Sequence, residues 1–315
     1  MVSLLLTVGM ISSAQDFGFG GNQQSHRQAQ YSHKYSDINY AGDSMAYHTL
    51  DVYLPQGKRP KRGYPVVVHI YGSAWFSNNS KGAADIHTIC AALLDAGYAV
   101  VCPNHRSSLD AHYPAQIQDI KAVVRWVRGN AKEYGLDSRF VATSGFSSGA
   151  HLASLCAATN DVVTGRSGEV EMDIEGSIGH YTQESSRVSA CCEWSGPIDL
   201  MNMDCGGLRP DKEHSPEAVL MGYVFMGHED AYRLLSPIHY LSPRTVPIMV
   251  CHGEADQVVP VCQGKELYEA LQDARVPVSR LLLQPEGGHG FNMYSEENLR
   301  EMVTFFDKAR RKRCK

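Results

Sequence analysis

The chain has 315 residues, 43% hydrophobic and 20% charged, enough to bury one large core or two modest ones. A formal net charge of -5 excludes the overall basic balance typical of nucleic-acid binders, and no nucleic-acid partner is expected. No pair among its nine cysteines and 14 histidines has zinc-site spacing, so no metal or cofactor is implied.

Residues 1–14 form an apolar run closed by small residues, as in the distal part of a secretory signal peptide, although a basic start is missing. The expected location is secreted or periplasmic, or cytoplasmic if the run is not a signal. It is too short to span a bilayer, and no membrane span is expected elsewhere. Residues 15–33, rich in Gln, Gly and Ser, read as a flexible lead-in, and 34–315 as a single domain.

Residues 35–40 and 47–53 alternate polar and apolar side chains and predict an antiparallel entry pair. Short apolar runs follow at 66–70, 99–102, 140–143, 188–192, 246–251 and 278–283, the pattern of strands buried on both faces of a parallel sheet. Helices are predicted between and after them at 86–94, 117–134, 148–158, 263–273 and 296–310. The last carries Leu299, Met302, Val303 and Phe306 at helical spacing. Its basic end, Lys308 to Arg313, reads as cations complementing a helix dipole.

Such alternation makes an α/β fold, a mostly parallel central sheet with helices on both faces and antiparallel N-terminal strands. Residues 159–187 and 200–235 lack long apolar runs and suit a small partial cap. Ligands on such sheets sit beyond the carboxyl ends of the strands, so chemistry is sought there. Cys90, Cys102, Cys156, Cys191, Cys192 and Cys251 fall in apolar patterns and read as buried thiols. Cys205, Cys262 and Cys314 have loop or terminal settings, allowing at most one bridge.

Gly145-Phe146-Ser147-Ser148-Gly149 fits G-x-S-x-G between a predicted strand and a predicted helix. The glycine frame selects Ser147 as nucleophile on a strained turn, with Ser148 lending its backbone N–H to an oxyanion. After the run at 246–251 come two carboxylates, Glu254 and Asp256; after 278–283 comes His289 on a glycine loop. Ser, then acid, then His is the chain order of an α/β-hydrolase relay.

These motifs resemble an α/β-hydrolase-fold serine esterase of the hormone-sensitive-lipase-like and bacterial acetylxylan/feruloyl esterase group. The likeness runs from about Tyr47 to Lys308. It includes Asn104-His105-Arg106, Tyr113-Pro114-Ala115, Trp194-Ser195-Gly196-Pro197 and the pattern H-G-x-x-D-x-x-V-P, which falls on Asp256 rather than Glu254. It implies catalytic Ser147, Asp256 and His289, and an oxyanion hole from Ser73, Ala74 and Ser148. Tyr71, Gly72 and Trp75 are implied substrate contacts.

Where the family has H-G-G-G-W, this chain reads Tyr71-Gly72-Ser73-Ala74-Trp75. The side chains of Ser73 and Ala74 are expected to narrow the acyl side. The Arg106 and Asp119 charges are expected to form a structural ion pair. The expected activity is hydrolysis of short acyl esters, with acetyl groups on plant polysaccharide foremost and a small-molecule or carbohydrate ester as partner. Alternatives are a feruloyl esterase, a prolyl-oligopeptidase-like exopeptidase and an inactive hydrolase-fold binding protein.

Overall fold

The computed structural model describes residues 28–82, 85–205 and 213–313. The predicted leader and most of the lead-in lie outside them. The chain enters through β1 (His33–Asn39), antiparallel to β2 (Thr49–Leu54), which is antiparallel in turn to the strand at Ala99–Pro103. From there the fold alternates: β3 (Tyr64–Ile70), α1 (Ile89–Asp95), β4 (Ala99–Pro103), α2 (Ala115–Gly129), α3 (Ala131–Tyr134), β5 (Leu136–Phe146) and α4 (Ser148–Ala158). A small hairpin, β6 (Thr164–Ser167) and β7 (Val170–Asp173), precedes β8 (Cys191–Trp194). Two short helices, α5 (Pro216–Met221) and α6 (Glu229–Leu235), lead to β9 (Ile248–Gly253), α7 (Val261–Asp273), β10 (Arg280–Gln284) and α8 (Glu296–Arg313).

The large sheet has the order β1-β2-β4-β3-β5-β8-β9-β10, and all neighbours from β4 to β10 are parallel. Every residue of β3 is buried. Val66, Val68 and Ile70 face a core shared with α2, α4 and α7, while Val67 faces one shared with α1 and α8. Burial on both faces explains why this strand reads as a continuous apolar run. Leu299, Met302 and Phe306 of α8 are buried, as their spacing requires.

Cys205 and Cys262 form a disulfide, and the six cysteines in apolar patterns are buried free thiols. That bridge ties the loop after β8 to the first turn of α7. There the Gln263 side chain also accepts from the N–H groups of Ile198 and Asp199, both at 2.8 Å. Among the described residues no helix is long and apolar enough to cross a membrane.

Candidate active site

Strand β5 runs into α4 with no residue to spare, and Ser147 takes the whole bend at φ 54°, ψ -125°. Such a backbone costs free energy for a side-chain-bearing residue and needs support. The flanking glycines supply room: a Cβ on Gly145 would lie 2.3 Å from the Gly149 carbonyl oxygen, and one on Gly149 only 2.1 Å from that of Ile70. The Ser147 N–H donates to the Trp194 carbonyl at 2.9 Å, fastening the turn to β8.

The Ser147 hydroxyl donates to His289 Nε2 at 2.9 Å, and His289 Nδ1–H donates to Asp256 Oδ2 at 2.8 Å. The three residues follow β5, β9 and β10, so the parallel sheet brings together positions 142 residues apart. Burial of Asp256 opposes its ionisation. The His289 bond and charge, with the N–H groups of Val259 and Val258 on Oδ1 at 2.9 Å each, still hold its carboxyl below the usual range. His252 packs behind it, 3.7 Å from Asp256 Oδ2. There burial lowers its pKa and its Nε2–H donates to the Val259 carbonyl at 2.9 Å. Glu254 is exposed and faces Lys265 at 3.4 Å, away from the relay.

The loop after β3 departs from the sequence expectation. Ser73 is tied in on three sides: its N–H donates to Ser148 Oγ at 2.9 Å, its hydroxyl accepts from the Ser77 N–H at 3.3 Å, and its carbonyl accepts from the Phe76 N–H at 2.9 Å. Its N–H is therefore read as a structural tie rather than an oxyanion donor, and its hydroxyl is engaged within its own loop. The Ser148 hydroxyl is engaged by that bond. Ala74 and Trp75 have φ of 49° and 61°. The Ala74 N–H has no hydrogen-bond acceptor among the described residues, and the Ser148 N–H stands in the first turn of α4, where no helical carbonyl can accept it. Gly72 flanks the nucleophile so closely that a Cβ there would lie 2.8 Å from that of Ser147.

Tyr71 and Trp75, expected as substrate contacts, are each 2% exposed and are corrected to supports of this loop. Tyr71 stacks on His105, with centroids 4.9 Å apart, and donates its hydroxyl to the Ser77 carbonyl at 2.9 Å. Trp75 Nε1–H donates to His151 Nδ1 at 3.3 Å, and His151 Nε2–H donates to the Leu235 carbonyl at 2.8 Å. Burial lowers the His151 pKa to about 4, so the ring is neutral and both nitrogens keep those roles at pH 7. Below the loop, Arg106 grips Asp119 with contacts of 2.7 to 3.1 Å, the expected ion pair.

A buried acid escaped the sequence reading. Glu193 is fully buried on β8, paired in register with Gly145, and accepts from the Gly196 N–H at 2.9 Å through one oxygen. Its other oxygen has no partner. Burial pushes its pKa up to about 8, so it is mostly protonated at neutral pH. An isolated Glu in an apolar strand end carries no motif that would have marked it.

Comparison with known proteins agrees with this geometry. The BD-FAE family model matches residues 50–271. A truncated carbohydrate esterase from gut microbiota shares 41% identity and superimposes with a TM-score of 0.84, covering 89% of this chain and 96% of that one. A bifunctional GH43-CE protein of Bacteroides eggerthii shares 45% identity at a TM-score of 0.83, over 88% of this chain and 35% of that one. Esterase LipQ of Mycobacterium tuberculosis is 28% identical over 270 residues, which are 85% of this chain; the chain spans 59% of that protein's length. The strand-end relay and the matched 50–271 segment place the chain in the BD-FAE family of α/β-hydrolase-fold serine esterases, the hormone-sensitive-lipase-like and acetylxylan esterase group.

Proposed function

We propose that the protein is a serine carboxylesterase that removes short acyl groups, acetyl above all, from plant polysaccharide. The observation that carries the chemistry is the continuous hydrogen-bond chain from Ser147 Oγ through His289 to Asp256. The carbohydrate-esterase neighbour at 41% identity supports the carbohydrate part.

Ser147 Oγ attacks the acyl carbonyl while its proton passes to His289 Nε2, and the carbonyl electron pair moves onto oxygen. Asp256 stabilises the imidazolium and holds its tautomer. The N–H groups of Ala74 and Ser148 receive the oxyanion. Losing one such donor would slow turnover by a factor on the order of 10²–10³. Collapse of the adduct expels the sugar oxygen, which takes the proton from His289 and leaves acyl-Ser147. Water, deprotonated by the same ring, then attacks the acyl carbon; acetate departs and Ser147 regains its proton.

Acetate release from acetylated xylan by wild type and by Ser147→Ala tests this reading. Wild type releases acetate and is labelled by a fluorophosphonate probe. The variant does neither, its rate falling by a factor on the order of 10⁴ or more. An unlabelled, inactive wild type overturns the esterase assignment, and a rate maximum on octanoate rather than acetate nitrophenyl esters overturns the short-acyl one.

A further inference from the structure

At the other end of the sheet lies a cleft of about 780 Å³. Three separate segments line it. Lys61 and Arg62 come from the turn before β3, Arg139 from the start of strand β5, and Arg310 and Arg311 from the last turn of α8. Five cations thus face one lining carboxylate, Asp137, which is already gripped by Arg139 at 2.8 Å. Lys61 and Arg62 have no charged partner among the described residues. Arg310 and Arg311 meet Asp307 only at 3.7 and 4.0 Å. This basic focus stands on a chain of net charge -5, so it is not a general property of the surface. The arginines of α8 do more than complement a helix end; the fold delivers them to a concave wall built by distant residues.

We propose that this cleft is an anchoring site for acidic saccharide, a carboxylate-bearing sugar unit of the polymer whose esters are cleaved at Ser147. The inference rests on the polysaccharide reading above. Guanidinium forks suit carboxylates geometrically, and a volume in the range of ligand sites suits a compact charged unit better than a flat surface. None of the exposed large apolar side chains lines the cleft, so it lacks what a bilayer or a stacked base would require. Arg139 lies eight residues before Ser147 along β5 and its continuation, a span of about 26 Å. A bound unit there cannot be the reacting one. Its effect is to hold the polymer at high local concentration around the enzyme.

The test measures binding and turnover separately on the full chain. Calorimetry compares xylo-oligosaccharides with and without glucuronic acid branches, using wild type and the triple variant Lys61→Gln, Arg62→Gln, Arg311→Gln. Wild type binds the acidic oligosaccharide at least about tenfold more tightly than the neutral one, and the triple variant loses that preference, in line with a few exposed charge pairs. Both hydrolyse nitrophenyl acetate at the same rate. Equal affinity for acidic and neutral oligosaccharides, or an unchanged preference in the variant, overturns the proposal. So does equally tight, equally variant-sensitive binding of free phosphate, DNA or anionic phospholipid vesicles, which marks a mere charge effect. Failure of wild type to hydrolyse nitrophenyl acetate overturns the esterase reading instead, and the binding arms still decide the anchoring site.

Discussion

Ser148 shows how much one hydroxyl can decide at a strained turn. Its oxygen takes the N–H of Ser73 from 75 positions earlier, so the loop after β3 is pinned to the elbow while one of its donors is consumed. Ser148→Ala therefore frees the loop as well as the donor. We expect turnover of nitrophenyl acetate to fall about fivefold, the cost of one hydrogen bond of roughly 1 kcal/mol, with KM little changed and Ser148→Thr restoring much of the loss. Wild-type turnover in Ser148→Ala would show that the tie is dispensable. Glu193 makes a second prediction at this scale. Its pKa near 8 lies above the usual 4.5, so the folded chain holds a proton that the unfolded chain releases. The sign follows: stability from this group is full below about pH 4.5, declines as pH rises towards 8, and levels off above. Each unit inside the window costs at most about 1.4 kcal/mol. Glu193→Gln mimics the protonated form and should flatten the fall of the thermal midpoint between pH 5.5 and 8; parallel slopes for the two proteins would refute the assignment.

At the scale of elements, the loop after β3 is held by a relay of rings rather than by glycines. Trp75 reaches His151 on α4, and His151 reaches the end of α6. Trp75→Phe keeps the buried ring but drops the N–H, so the thermal midpoint should change little while turnover falls by about threefold to tenfold. A large drop in midpoint with unchanged turnover would place the role of Trp75 in packing alone. Which elements were legible follows from how much they bury. The runs at 66–70, 99–102 and 246–251 are enclosed on both faces and announce β3, β4 and β9. Strand β5 begins earlier than its apolar run because Asp137, Ser138 and Arg139 are polar at its open end. The hairpin β6–β7, with alternating exposed residues, and the short helices α5 and α6 carried too little apolar periodicity to be found. In the site, Ser147, Asp256 and His289 were marked by local glycine and strand-end patterns. Ala74 and Ser148 were named with Ser73 from the family pattern; that the Ser73 N–H is tied up was not legible, because its acceptor, Ser148 Oγ, lies 75 residues away.

For the whole molecule, strand order in space follows strand order in the chain, apart from the exchange of β3 and β4. Everything through β5 and α4 forms one block of the sheet, β8 to β10 form the next, and the two meet along the β5–β8 seam. Between them, the β6–β7 hairpin turns at Gly168, φ 51°, and Glu169, and Glu169 is exposed. A chain divided at that turn would leave the nucleophile and its oxyanion loop on one piece, the acid and base on the other. Each fragment alone should be inert towards nitrophenyl acetate, and mixing should restore hydrolysis with a dependence on the concentration of both. The protein is in this sense a two-part device, whose catalytic output reports that its halves have found each other.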